Sequence, residues 1–247
     1  MISRFYCPFP LHPGATVELD SNAAHHALRV LKVDAGDTAI LFDGHGGQWL
    51  AELQPAGKRL NARLLEFSAG VPEPTLAVTL VQCLPAADKM DWVVQKAVEL
   101  GVTAIQPLEA KRSVVRLAGE RKERRAEHWR GVARAACEQS GRNRVPEIAP
   151  IRDLPAYLGL VMQENPQQND ACFICVPTAA SGFLRDRPRP TGAVRVLVGP
   201  EGGFEAGELA AAQTAGFMPL TLGPHVLRTE TAGLAALAAM MTLWGDW

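Results

Sequence analysis

Two short stretches near the C-terminus hold residues whose types and spacing suit chemistry. Val194–Val198 runs into Gly199-Pro200-Glu201-Gly202-Gly203-Phe204, and residues 217–222 run into Gly223-Pro224-His225-Val226-Leu227-Arg228-Thr229-Glu230-Thr231-Ala232. A glycine-rich turn after a buried strand lets backbone amides approach a ligand closely, at the strand ends where α/β sheets bind small molecules. The first loop lacks the Lys-Ser/Thr end of a Walker loop, and its glycines do not fit the dinucleotide fingerprint. Both points weigh against a nicotinamide dehydrogenase. Taken singly, each loop is a turn followed by a helix, with Thr229 the expected N-cap of the last one. Taken together, they outline one small-molecule site.

Charge supplies a second signal. The chain carries a net charge of −1, yet residues 111–144 hold eleven Lys or Arg against four Glu, leaving 14 basic and 22 acidic residues elsewhere. A concentrated cationic segment on an acidic chain is the electrostatic footprint of a polyanion partner, although arginine-rich helix faces also serve solubility alone. Here the segment is bracketed by Arg112-Ser113-Val114-Val115 and Glu138-Gln139-Ser140-Gly141-Arg142-Asn143. Arg29 follows His25-His26 and is a further candidate contact on a short helix. Cys172-Phe173-Ile174-Cys175 has the spacing of a redox or zinc pair. It lies in an apolar strand with no second pair at ligand spacing, so it reads as core and no metal is expected.

Elements that could position these residues follow from the periodicity. Apolar residues make up 47% and charged residues 21%, the composition of a globular chain with a substantial core. No basic segment followed by an apolar run opens the sequence, and the apolar stretch 232–244 is too short to span a bilayer, so a cytoplasmic location is expected. The five cysteines are odd in number and scattered, which suits reduced thiols. Residues 15–19, 38–42, 49–53 and 62–67 read as short strands, with a hairpin connection at Asp43-Gly44-His45-Gly46-Gly47 and a short helix over 23–30 capped by Ser21. Val71-Pro72-Glu73-Pro74 then removes two backbone donors and marks a boundary. Beyond it, strands at 76–84, 103–108, 171–176, 194–198 and 218–222 alternate with helices at 88–100, 120–139, 205–215 and the apolar C-terminus, which predicts an α/β sheet. Met90, Val93, Val94, Ala97 and Val98 form the buried face of the first of these helices.

VGPEGGF paired with LGPHVLRTETA, together with QKAVELGV, RSVV, EQSGRN and the N-terminal HHALRVLKVDAGD, closely resembles the bacterial enzymes that methylate N3 of a uridine in 16S ribosomal RNA, members of the SPOUT superfamily. The likeness runs through nearly the whole chain. It implies a PUA-like β-barrel RNA-binding domain over residues 1–70 and an α/β methyltransferase domain with a C-terminal trefoil knot over 74–247, an exception to the rule against knotted chains. It also implies a homodimer, S-adenosylmethionine held in a bent shape, and 16S ribosomal RNA in the assembled small subunit as substrate. By the same likeness Val198, Gly199, Glu201, Gly202, Gly203, Leu222, Gly223, Leu227, Arg228, Thr231 and Ala232 hold the cofactor. Arg29, Arg112, Arg116, Arg142, Asn143 and Arg144 are the expected RNA contacts. His225 stands where many members of the family carry Arg, and no role is assigned to it.

The implied reaction sets its own chemical demand. N3 of uracil bears a proton and its lone pair is tied up in imide resonance, so attack requires deprotonation or stabilisation of negative charge growing on O2 and O4. Arg228 and Arg142 are candidate cations, and Glu138 and Glu230 candidate bases. A methyltransferase acting on a ribose hydroxyl or on transfer RNA would share the same loops. An RNA-binding assembly factor without catalysis would keep the fold.

Overall fold

The computed structural model describes residues 2–164, 170–177 and 182–247. The chain divides into two compact units, residues 1–73 with 134–145, and residues 74–133 with 146–247.

In the first unit β1 (Ser3–Tyr6), β2 (Thr16–Glu18), β3 (Thr38–Phe42), β4 (Gln48–Ala56) and β5 (Arg59–Ser68) form one sheet in the order β1-β3-β4-β5-β2. β1 runs parallel to β3, and the other pairs are antiparallel. Alternation along the strands sends Phe5, Ala39, Leu41, Ala51, Leu53, Leu60, Ala62 and Leu64 into a core where none is more than 2% exposed. Each large side chain so buried contributes about 1.5–3 kcal/mol. The helix expected over 23–30 is split. α1 (Ser21–His25) is capped by Asp20 rather than Ser21, its carboxylate accepting the N–H groups of Asn22 and Ala23 at 2.8 and 2.9 Å. A π-helical turn, His26–Leu31, follows and closes at Lys32 with φ +54°. Ala24 and Ala27, three positions apart across the break, both face the core.

The boundary read at Val71-Pro72-Glu73-Pro74 needs an addition, because residues 134–145 return to the first unit. The Val145 N–H donates to the Gly44 carbonyl at 3.0 Å, and the Gly46 N–H to that of Asn143 at 3.2 Å.

The second unit contains β6 (Val78–Cys83), α2 (Lys89–Glu99), β7 (Ala104–Glu109), most of α3 (Glu120–Ser140), β8 (Glu147–Ile148), β9 (Arg152–Asp153) and α4 (Leu154–Glu164). It continues through β10 (Ala171–Cys175), β11 (Val194–Val198), α5 (Ala206–Thr214), β12 (Met218–Leu220) and α6 (Thr229–Trp244). The strands make a parallel sheet in the order β12-β10-β11-β6-β7-β8, with β9 also paired to β7. Val81, Cys83, Leu108, Ile174 and Leu197 point to one face, where Leu154, Tyr157 and Leu158 of α4 and Ala212 of α5 cover them. On the other face α6 packs against α2, β6 and β11, and the rings of Phe173 and Trp244 lie 5.8 Å apart. Among the described residues no helix is long and apolar enough to cross a membrane.

Candidate cofactor site and cationic segments

The parallel strands deliver their C-terminal ends to one edge, where both glycine-containing loops begin. At the end of β11, Gly199 packs so tightly on Phe204 that an added Cβ would lie 2.9 Å from its ring, so any larger residue there must push that ring aside. The second loop leaves β12 and enters α6. There Arg228 occupies the N-cap position with φ −65° and ψ 154°, and its side chain makes no cap hydrogen bond. Thr229, the expected cap, has another task. Its hydroxyl donates to the Gly199 carbonyl and accepts from Gln82 Nε2 at 3.0 Å, while the same amide nitrogen donates to the Cys83 carbonyl at 2.9 Å. Gln82 is fully buried in β6, so this chain of bonds ties both loops to the middle of the sheet.

A second tie crosses the loops at their outer side. Lys89 Nζ lies 3.1 Å from Glu230 Oε1 and 3.4 Å from Glu201 Oε1. Burial alone would raise the Glu230 carboxyl, but its own backbone N–H and Lys89 outweigh it and hold the group below the usual range. Glu201 also accepts the Ala86 N–H at 2.9 Å.

Beside α6 an open cleft with about 330 Å³ of empty space is walled by Cys175, Val176 and Pro177 after β10, by Leu220, Thr221 and Leu222 at and after β12, and by His225, Leu227 and Ala232. Of the residues expected to hold a cofactor, Leu222, Leu227 and Ala232 line it directly. Apolar walls next to loops rich in backbone donors and acceptors fit the adenine ring and methylene chain of S-adenosylmethionine. Two further residues line the cleft. His225, given no role, is part of the wall. Cys175, read with Cys172 as core, also lines it, whereas Cys172 is 6% exposed in the core. Burial pushes the Cys175 thiol up to about 12, so it faces the cleft as an uncharged group. Its place at the end of a parallel strand was the signal available.

The four candidate catalytic residues fall into two pairs. Arg228 and Glu230 stand together at the start of α6, with Arg228 exposed. Glu138 and Arg142 belong to the first unit. The Glu138 carboxylate accepts the Tyr6 N–H at 2.9 Å, and burial raises its pKa above the usual carboxylate range despite that bond. The Arg142 guanidinium is 10% exposed and grips Glu73, with Nε 3.0 Å from Oε2.

The cationic segments divide similarly. Arg112 Nη1 donates to the Gly202 carbonyl at 3.1 Å, which fastens the RSVV segment to the first loop, and Arg116 Nη2 donates to the Lys111 carbonyl at 2.7 Å. Both side chains remain exposed, as does Arg29 on the π-helical turn. The Arg144 N–H donates to Glu73 Oε1 at 3.3 Å. Asn143 corrects the expectation of a direct RNA contact. It is 2% exposed, and its Oδ1 accepts from Arg4 Nη2, so its side chain holds the first unit together instead of facing solvent.

Residues 72–241 match the family model described as an RNA methyltransferase domain, and residues 19–63 match the RNA methyltransferase PUA domain. Fold and site therefore define an RNA methyltransferase with an N-terminal PUA domain. Ribosomal RNA small subunit methyltransferase E of Bacillus subtilis is 30% identical, over 93% of this chain and 91% of its own length. That of Mycobacterium bovis is 32% identical, over 98% and 92%. Among solved structures, a ribosomal RNA small subunit methyltransferase E from Neisseria gonorrhoeae bound to S-adenosylmethionine is 41% identical over the whole of both chains, with a TM-score of 0.90. A protein from Legionella pneumophila in complex with the same cofactor is 32% identical over the whole of both chains, with a TM-score of 0.92. The chain belongs to the ribosomal RNA small subunit methyltransferase E family.

Proposed function

We propose that this protein transfers a methyl group from S-adenosylmethionine to N3 of a specific uridine in 16S ribosomal RNA, acting as a homodimer on the assembled small subunit. The observation that carries the reading is the pairing of the two loops, joined through Thr229 and Gly199, beside an apolar cleft at the C-terminal edge of a parallel sheet. The cofactor-binding set is Val198, Gly199, Glu201, Gly202, Gly203, Leu222, Gly223, Leu227, Arg228, Thr231 and Ala232, with Cys175, Val176 and His225 added as walls. The C-terminal segment is read as knotted by likeness to the family.

When bound, the cofactor supplies a methyl group activated on a sulfonium. The protein's part is position and field. Arg228, exposed beside the N-terminus of α6, stabilises negative charge growing on the uracil oxygens, with the positive end of the helix dipole adding to it. A base with a raised pKa takes a proton more readily near neutrality than one held low. Glu138, whose pKa is raised by burial, and Glu230, whose carboxylate Lys89 keeps ionised, are the two candidate bases. Arg142 shapes the EQSGRN turn through Glu73, and Arg29, Arg112, Arg116 and Arg144 contribute phosphate contacts. An unpaired or flipped uridine is required, because N3 is hidden in a base pair.

The test is incubation of the purified protein with labelled S-adenosylmethionine and small subunits from cells lacking this enzyme, followed by mass spectrometry of the nucleosides. Label recovered as 3-methyluridine is expected. Label on a ribose, or label appearing instead in a parallel incubation with transfer RNA, would overturn the assignment of the acceptor atom or the RNA.

A further inference from the structure

Lys89 stands in the first turn of α2, more than a hundred residues before either cofactor loop. Its ammonium nonetheless touches a carboxylate from each, Glu201 after β11 at 3.4 Å and Glu230 in the first turn of α6 at 3.1 Å. The contacts are partly open to solvent, with side-chain exposures of 33% for Lys89 and 30% for Glu201, while Glu230 is the more enclosed partner at 15%. The segment that carries Lys89 is itself held in place. Ala86 donates to Glu201, and Ala87 keeps φ +55°, a left-handed conformation that a residue with a Cβ adopts only when its surroundings impose it. Glu230 Oε2 is buried and has no hydrogen-bond partner among the described residues, and Lys89 is the direct ion-pair partner of this carboxylate, with the charge of Arg228 adding a further attraction.

We propose that Lys89 is a positioning residue for the cofactor site, pinning the two loops to one another through Glu201 and Glu230 and thereby setting cofactor affinity without taking part in transfer. The proposal rests on the reading of these loops as an S-adenosylmethionine site. Two carboxylates within reach of one nitrogen repel when that nitrogen is removed, and the loops that carry them then separate. Binding must afterwards re-order both loops, and that cost appears as lost affinity. Because the loops contact the donor before and after transfer, S-adenosylmethionine and its product S-adenosylhomocysteine are affected alike.

The experiment compares full-length wild type with K89M, K89R and E230Q and with the double variant K89M/E230Q. Each is titrated calorimetrically with both cofactor forms, melted thermally, and assayed for methylation at saturating donor. K89M is expected to weaken both ligands by roughly tenfold, the size of a lost charged hydrogen bond, and to raise KM with kcat held within about twofold. K89R restores most of the affinity. K89M/E230Q loses less than the two single changes combined, since each removes the same contact. Unchanged affinity in K89M, a fall in kcat at constant KM, or a loss that follows the melting temperature equally in K89R would overturn the proposal. If K89M does not fold, E201Q breaks one arm of the bridge and must weaken both ligands; normal affinity there overturns the proposal as well. Failure of wild type to bind either ligand would instead sink the reading of the loops as a cofactor site.

Discussion

The Thr229 hydroxyl donates to the carbonyl of Gly199, thirty positions earlier, and so couples the start of α6 to the end of β11. A threonine at the head of a helix ordinarily turns its oxygen back onto the helix's own N–H groups. Here the residue is 6% exposed, and its oxygen bonds between the two loops instead. Thr229→Val strips the partner from both the Gly199 carbonyl and the Gln82 amide, while Thr229→Ser keeps both bonds. Denaturant unfolding is expected to show a loss of about 1–3 kcal/mol for valine and much less for serine. A loss for serine with little or none for valine would mean that the threonine methyl, rather than the hydroxyl, is what matters.

Cys175 tests the cleft itself. Cys175→Phe places a ring where the cofactor is proposed to sit, and calorimetry is expected to show no binding of S-adenosylmethionine, with far-UV circular dichroism unchanged. Retained binding would move the cofactor out of this cleft. With its pKa pushed up to about 12, the thiol is also expected to react slowly with iodoacetamide at neutral pH.

Glu138 gives a pH prediction with a definite sign. Its folded pKa lies above the unfolded value because of burial, so the folded state binds the proton more tightly. The stability this contributes is full below the unfolded carboxylate pKa and is lost as pH rises through the folded one. Glu138→Gln keeps an acceptor for the Tyr6 N–H and removes the buried charge. Its melting temperature is expected to exceed that of wild type at neutral pH, with the gap closing on acidification. If Glu138 is the base, the same variant loses turnover while retaining cofactor binding.

Gly70 tests the interior of the first unit. It adopts φ +71°, and a Cβ there would collide with Asn143 Nδ2, itself locked by Arg4. Gly70→Ala is therefore expected to destabilise by more than about 2 kcal/mol in denaturant unfolding. A neutral effect would show that Asn143 can turn away at little cost, and would reopen its side chain to RNA.

How much of this was legible depends on how local each signal is. The strand Val194–Val198 and the buried face of α2 follow from apolar pattern over a few residues, and the structure places them as read. α4 was not anticipated, because Leu154-Pro155-Ala156-Tyr157-Leu158-Gly159 mixes a proline and a glycine into an apolar run whose period is hard to see. β1 was missed because four residues at the chain start show no alternation, and its place comes from parallel pairing with β3. The loops could be recognised as loops. That Thr229 faces Gly199, that Lys89 bridges them, and that Cys175 lines the cleft all depend on residues brought together by sheet order, which spacing does not encode.

The first unit is discontinuous, and that bears on how the protein is made. A nascent chain leaves the ribosome from its N-terminus, so all five strands of this sheet are synthesised well before residues 134–145 emerge. During that interval the Arg4 guanidinium lacks Asn143, the Tyr6 amide lacks Glu138, and Gly44 lacks its bond from Val145. The sheet must wait, partly unsatisfied, while much of the transferase sequence is translated, which exposes it to chaperones and to wrong pairings. Transplanting this N-terminal module to another protein consequently means moving two separate stretches of gene, since residues 1–73 alone would leave behind the peptide that completes them.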